Sequence, residues 1–129
     1  MRQNLNQTFI ELAPKLYKAG VQLMAGSDCG ASNSYVYPGI SLHQELAAMV
    51  ASGIPEIGAI QAATINGARF LRVEDEYGSL KPGKSGDLLI LSGNPLEDIG
   101  HTQSIERMVM QGKTYTKGEM DKVLEGVKK

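Results

Sequence analysis

Asp28 is the residue of this sequence that is best placed for chemistry. It follows the apolar run Val21–Ala25 and two small residues, a pattern that predicts a buried strand ending in a tight turn. Functional sites of parallel α/β folds are assembled at the carboxyl ends of their strands. A carboxylate there can act as a general base or bind a metal ion. The alternative interpretation is that Asp28 caps a turn or the following helix.

Two aromatic residues follow Asp28 on the same predicted loop. Tyr35 and Tyr37 lie between Gly30 and Gly39. In a barrel the loop after a strand forms the mouth of the site, so these rings either line a substrate pocket or pack within the loop.

The remaining chemically versatile residues favour structural interpretations. We expect His43 to interact with a helix end or solvent, and His101 to lie at the surface. Cys29 is interpreted as a small buried hydrophobe, because no histidine is close in sequence to activate its thiol. The two histidines do not show the His-x-His or His-x-x-x-His spacing that places two imidazoles on one ion.

The elements that position these residues change in character near residue 72. Apolar residues recur at helical spacing before that point, whereas strand and turn patterns follow it. The first part is predicted to begin with a helix from Leu5 to Leu16, which Pro14 kinks or restarts and Gly20 ends, followed by the strand Val21–Ala25. A second helix begins with a capping box of Ser41 and Gln44 and ends at Gly53. Two more helices follow, one opened by Pro55 and one capped by Thr64 that runs to Leu71. The predicted elements of the second part are the strands 87–91 and 105–111, a hairpin partner at 113–116 across Gly112, and a helix from Glu119 with Met120, Val123, Leu124 and Val127 on one face.

Several segments together resemble a known family. Their order and spacing are similar to those of the carboxyl-terminal third of the metal-dependent amidohydrolase superfamily, in its imidazolonepropionase-like and prolidase-like branch. The most specific segment is Gly-Ser-Leu-Lys-Pro-Gly-Lys-Ser-Gly-Asp-Leu at 78–88, and the resemblance covers roughly three quarters of the chain. The other segments are Ala-Gly-Ser-Asp at 25–28, Pro38–Leu46, Gln61–Leu71, Gly93–Leu96 and Met108–Lys113.

The resemblance implies an α/β fold that is one part of a larger enzyme. Residues 1–72 would be the carboxyl-terminal part of a (β/α)8 hydrolase barrel, namely its last strand and flanking helices. Residues 73–116 would supply strands to a small composite β-sandwich, and residues 117–129 would form a carboxyl-terminal helix or tail. A whole barrel of about 250 residues does not fit into 129 residues.

The resemblance also implies a chemistry and a cofactor. Intact members hydrolyse C–N bonds, amide or cyclic amide, of small-molecule or peptide-like substrates through a water activated by a divalent metal, most often zinc. Asp28 matches the family's aspartate after strand eight, which acts as the base and sometimes as an extra metal ligand. The family's histidine ligands have no counterpart here. We therefore expect the isolated chain to be inactive and to hold no stoichiometric metal.

The second hypothesis is a non-catalytic standalone or truncated domain that self-associates as a homo-oligomer. A segment taken from a closed barrel would expose a strand edge and apolar helix faces, which favour association. The surfaces expected to be exposed are the strand edge Val21–Ala25, the helix face Leu42, Leu46, Met49 and Val50, and the tail around Val123 and Val127.

Composition excludes several other classes. The net charge is −1 with interspersed signs, so no basic surface for nucleic acid or anionic membranes is predicted. No apolar run approaches the roughly 18 to 20 residues of a membrane span. A single cysteine excludes an internal disulfide and indicates a reducing compartment, so we expect a cytoplasmic protein.

Overall fold

The fold is α/β, and the residues that the structure describes form four helices followed by a small antiparallel sheet and a final helix. A computed structural model describes residues 2–30 and 36–127. No helix in that part of the chain is long and apolar enough to cross a membrane. The elements are α1 (Arg2–Lys18), α2 (Ile40–Ala51), α3 (Glu56–Ala62), α4 (Ile65–Leu71), β1 (Leu88–Leu91), a 3-10 helix (Ile99–Gln103), β2 (Ile105–Met110), β3 (Lys113–Thr116) and α5 (Lys117–Val127).

The core lies where α2, α3 and the 3-10 helix meet, with α1 packed beside them. Ile54, between α2 and α3, is its most buried large side chain. Tyr17 of α1 packs so closely on Gly58 that a Cβ added at Gly58 would lie 2.7 Å from its ring. The buried members of this core are Leu46, Met49, Ile54, Ala59, Ala62 and Ile99.

This packing corrects one sequence expectation. Leu46 and Met49, on the helix face that was expected to be exposed, are only 4% and 9% accessible. Leu42 and Val50 on the same face are half-buried. The reason is that α3 and the 3-10 helix cover this face within the chain itself, so it is not available for association.

The helix boundaries were largely predictable, and Thr64 does precede α4, but neither Ser41 nor Thr64 makes the predicted capping hydrogen bond. The Ser41 hydroxyl donates to the Tyr37 carbonyl at 2.6 Å from inside α2, while Gly39 precedes the helix with φ of +85°. The Thr64 hydroxyl likewise donates backward, to the Ile60 carbonyl at 2.7 Å. Both hydroxyls therefore satisfy carbonyls of the preceding turn instead of capping the amides of the following helix. Pro14 lies inside a continuous α1.

The predicted strand Val21–Ala25 is not formed in the described part of this chain. These residues form neither helix nor strand, although the Ala25 amide donates to the Ala62 carbonyl at 3.0 Å. A β-strand needs ladder hydrogen bonds to a neighbouring strand, and the three strands of the described sheet pair only with one another.

The predicted hairpin is confirmed. The three strands form an antiparallel sheet in the order β1-β2-β3. Gln111 and Gly112 connect β2 to β3 with φ of +51° and +75°, the left-handed pair that a tight two-residue hairpin requires. The Asp87 carboxylate, just before β1, accepts a hydrogen bond from the Gln111 amide at 2.8 Å and so fixes this turn to the sheet.

Hydrogen bonds from Lys84 hold the glycine-rich segment 78–86 before β1 in a turn. The Lys84 ammonium donates to the Glu74 carbonyl and, at 2.8 Å, to the Ser79 hydroxyl. Gly78, with φ of +82°, lies against α4, where an added Cβ would be 2.8 Å from both the Ala68 side chain and the Ile65 backbone. The segment is therefore a compact turn packed on α4.

Helix α5 begins with a capping box that the sequence analysis missed. The Thr116 hydroxyl and amide donate to the Glu119 carboxylate at 2.7 and 2.8 Å. The Glu119 amide returns a hydrogen bond to the Thr116 hydroxyl at 3.4 Å. The backbone and side-chain hydrogen bonds from Thr116 lower the pKa of Glu119. The signal was present in the sequence as Thr-Lys-Gly-Glu.

Candidate functional site

Asp28 lies at the end of an irregular segment that runs back to Val21. Its side chain is exposed, and its φ of +49° is in the left-handed region that Asp adopts more readily than most residues. The described structure therefore places the Asp28 carboxylate at the surface, after a segment that packs on the helices.

Two hydrogen bonds attach this segment to α3 and α4. The Asn66 Nδ2 amide of α4 donates to the Leu23 carbonyl at 2.9 Å. Two residues further on, the Ala25 amide donates to the Ala62 carbonyl of α3 at 3.0 Å. The side chains of Leu23 and Ala25 also pack against the core. The path of the chain toward Asp28 is thus set by α3 and α4.

A small open cavity lies beside this attachment. It has a volume of about 160 Å³ and is formed between the irregular segment and α4. The Arg69 guanidinium on its wall donates to the Asn66 Oδ1 atom at 3.4 Å. Its lining residues are Gln22, Met24, Asn66, Arg69 and Phe70.

Only one of the two candidate tyrosines can be placed. Tyr35 lies outside the described residues. The Tyr37 side chain is 62% exposed, and its carbonyl accepts hydrogen bonds from both the hydroxyl and the amide of Ser41. The Tyr37 backbone is therefore fixed to the start of α2 while its ring faces solvent.

Both histidines have contacts within the fold. The His43 Nδ1 atom lies 3.0 Å from the Thr102 hydroxyl, and the His101 Nδ1 atom lies 3.1 Å from the Asn94 carbonyl. The His101 ring is half-buried and stacks so tightly on Gly93 that an added Cβ there would be 2.5 Å away. These contacts agree with structural roles, although His101 is less exposed than expected.

The expectation for Cys29 was wrong. Its thiol is free and exposed, next to Asp28, instead of being buried. The physical reason is that the chain has already left the helices at this point, since Ala25 is the last residue of the segment that packs on the core.

The described residues do not make a complete metal site. Within 2–30 and 36–127, no three His, Cys, Asp or Glu side chains are close enough to hold one ion. A catalytic zinc usually has three protein ligands, so Asp28 could contribute only one of them. The donor set in this part of the chain therefore does not fit a divalent metal by itself.

Comparison with known proteins identifies the family. The model of the amidohydrolase family matches residues 4–120, and the chain belongs to this family. The human probable imidazolonepropionase is 33% identical over 110 residues, which are 81% of this chain and 25% of that protein. A 5-methylthioadenosine/S-adenosylhomocysteine deaminase of Teredinibacter turnerae is 37% identical over 87 residues, 64% of this chain and 20% of the deaminase.

Solved structures give the same result. A Xaa-Pro dipeptidase with methionine bound in its active site matches with a TM-score of 0.72 and 34% identity, over 83% of this chain and 25% of the dipeptidase. A putative prolidase of Bifidobacterium longum matches with a TM-score of 0.71 and 29% identity, over 91% of this chain and 30% of that structure. The chain thus spans about a quarter of the length of these relatives, and the predicted family resemblance is confirmed.

Proposed function

We propose that this chain is the carboxyl-terminal part of an amidohydrolase that cleaves C–N bonds of a small cyclic or peptide-like molecule. The observation that carries the proposal is the exposed Asp28 carboxylate, at the end of a segment fixed to α3 and α4, within the region that matches the family. Hydrolysis of a C–N bond needs a group that takes a proton from the attacking water and returns it to the leaving nitrogen. We assign this role to Asp28.

The proposal requires residues that the described part of the chain does not supply. A divalent cation such as zinc would activate the water in such an enzyme, and Asp28 is the one ligand that we assign to it here. The other ligands of the ion would have to come from outside the described residues. On this basis the isolated chain is inactive.

The proposal extends to the architecture. Residues 1–72 would complete a (β/α)8 barrel, with 21–25 becoming its last strand when neighbouring strands are present. Residues 73–116 would contribute β1 to β3 to a small composite sandwich, followed by α5 within 117–129. Tyr37, and Tyr35 before it, would then lie at the mouth of the site. We place the protein in the cytoplasm, since its single cysteine suits a reducing compartment.

A chimeric enzyme tests the proposal. In it, this chain replaces the matching quarter of the Xaa-Pro dipeptidase, which is 34% identical to it. We expect the chimera to fold, bind metal and hydrolyse at least one member of a panel that contains Xaa-Pro dipeptides, imidazolonepropionate and adenine. The panel follows the names of the relatives, a dipeptidase, an imidazolonepropionase and an adenine deaminase.

A control distinguishes a chimera that is inactive because of its junction from one that is inactive because the proposal is wrong. The dipeptidase reassembled from its own two pieces in the same format must be active, which shows that the junction is tolerated. A folded, metal-loaded chimera that turned over none of the panel beside an active control would contradict the proposal.

A second candidate function is self-association without catalysis. Three large apolar side chains near the end of α4 and the following turn, Phe70, Leu71 and Leu80, are 72%, 68% and 70% exposed. Burial of apolar surface contributes about 25 cal/mol per Å², so a homo-oligomer that buried these side chains would be stabilised. Light scattering tests it: Phe70→Glu should return an oligomer to the 13.9 kDa monomer, and a wild-type monomer would contradict the candidate.

A further inference from the structure

Asn66 connects two parts of the chain that are distant in sequence. It is half-buried on α4, and its side chain reaches the Leu23 carbonyl, 43 residues earlier, at 2.9 Å. Within the described residues of the 129-residue chain, this segment has no ladder hydrogen bonds to another strand, so the Asn66 amide provides the Leu23 carbonyl with a hydrogen bond that a strand would otherwise supply.

The two partners of the Asn66 amide determine its orientation. The Leu23 carbonyl can only accept, so it requires the NH₂ end of the amide. The Arg69 guanidinium can only donate, and it lies 3.4 Å from the oxygen end. The two contacts therefore agree on the same orientation of the amide, and Arg69 opposes its rotation.

The attachment is close to Asp28 along the chain. Leu23 is held by Asn66 and Ala25 by Ala62, and Asp28 is three residues beyond Ala25. Three residues span at most about 11 Å when fully extended, so the two anchors restrict the volume that the Asp28 backbone can occupy. Removal of the Leu23 anchor leaves the Ala25 amide as the one remaining backbone bond described between this segment and α3 or α4.

We infer that Asn66 is a positioning residue for Asp28, with Arg69 orienting the Asn66 amide. The inference rests on the proposed function, because it assigns to Asn66 the task of holding the segment that carries the proposed catalytic carboxylate. Asn66 acts through the Leu23 carbonyl and is not itself assigned a contact with substrate.

The first test measures the attachment in the 129-residue chain. Asn66→Asp keeps the shape of the side chain but turns a carboxylate oxygen toward the Leu23 carbonyl, whereas Asn66→Ala removes both contacts. Hydrogen exchange of the Ala25 amide, which donates to Ala62, should become at least about fivefold faster in both variants. Asn94→Ala, which removes exposed side-chain hydrogen bonds to Glu97 and to the Leu96 amide elsewhere in the fold, should leave this exchange rate unchanged.

A further variant guards against simple unfolding. Arg69 is exposed, so Arg69→Met should preserve the fold, and it should still speed exchange of Ala25 by freeing the Asn66 amide to rotate. Unchanged exchange of the Ala25 amide in the folded Asn66→Asp and Arg69→Met variants would overturn the inference, because the hydrogen bond from Asn66 to Leu23 would then not restrain the segment.

The second test measures positioning in the chimeric enzyme. Asn66→Asp should lower kcat about tenfold or more with a small change in KM, since a misplaced base affects the chemical step more than substrate binding. If Asp28→Asn abolishes turnover while Asn66→Asp keeps normal kcat, the inference fails and the proposed function stands. If Asp28→Asn keeps normal turnover, the proposed function fails, and the positioning role fails with it.

Discussion

The imidazole of His43 on α2 lies 3.0 Å from the hydroxyl of Thr102 on the 3-10 helix, and this contact joins the helical part of the chain to the connection between β1 and β2. The same hydroxyl donates its single proton to the Ile99 carbonyl at 2.8 Å. Thr102 can therefore only accept from His43, so the His43 Nδ1 atom carries a proton. The hydrogen bond from Thr102 to the Ile99 carbonyl thus favours the Nδ1-protonated tautomer of neutral His43.

The contact between His43 and Thr102 predicts the tautomer of His43 and a loss of stability when the Thr102 hydroxyl is removed. Nitrogen-15 NMR of neutral His43 should show the Nδ1-protonated ring. Thr102→Val should lower the free energy of unfolding by about 1 to 2 kcal/mol, because it leaves both the His43 Nδ1 donor and the Ile99 carbonyl without this partner. Thr114→Val, on exposed β3, is the matched control. Equal stability of the two variants in urea would contradict the assignment.

Alanine substitutions at Gly78 and Gly83 distinguish the cost of backbone strain from the cost of steric overlap. Gly83 has φ of +88° and open space around it, so Gly83→Ala should cost about 1 to 2 kcal/mol for the left-handed backbone alone. Gly78 has a similar φ of +82°, but its added Cβ would overlap Ala68 and the Ile65 backbone. Gly78→Ala should therefore cost about 1 to 3 kcal/mol more. Equal unfolding midpoints for the two variants would show that the turn does not pack on α4 as described.

The capping box of α5 predicts a pH dependence. The hydrogen bonds from Thr116 lower the pKa of Glu119 in the folded chain relative to its value in the unfolded chain. A carboxyl with a lowered folded pKa stabilises the fold fully above the unfolded value, and this contribution is lost as pH falls through the folded pKa. Glu119→Gln should therefore reduce the difference in stability between pH 6 and pH 3. Parallel urea profiles for wild type and Glu119→Gln would oppose this account.

The metal content of the purified chain tests whether its metal ligands are incomplete. Because no three suitable side chains meet within the described part of the chain, the purified chain should contain far less than one equivalent of zinc, manganese or iron. The chimeric enzyme, which regains the remaining ligands, should retain metal through dialysis. Stoichiometric metal in the isolated chain, measured by elemental analysis, would require a site that this account does not contain.

Local signals in the sequence predicted most of the elements. Helical spacing, Gly20 and Gly53 located α1 and α2, and the turn at Gly112 located the hairpin, because each signal acts through a few neighbouring residues. The strand at 21–25 failed because a strand also depends on partners that sequence periodicity does not reveal. The capping box at Thr116 was readable and was missed.

The contacts that position the segment before Asp28 could not be predicted from the sequence. The family resemblance that singled out Asp28 is confirmed for the chain as a whole, and the role of Asp28 itself stays a prediction. Nothing local to Asn66 indicated that its amide would reach Leu23, since the contact spans 43 residues and depends on how α4 packs. The exposure of Cys29 also depended on where the chain leaves the core.

The turnover of the Asp28→Asn chimeric enzyme tests the central claim most directly. The amide keeps the shape of the carboxylate but cannot take up the proton of the attacking water, so kcat should fall about 10²- to 10⁴-fold while circular dichroism stays that of the parent chimera. Asp75→Asn, a second exposed aspartate in the turn after α4, should keep the parent kcat. A kcat of Asp28→Asn within a factor of about two of the parent would remove Asp28 from the mechanism and contradict the proposed function.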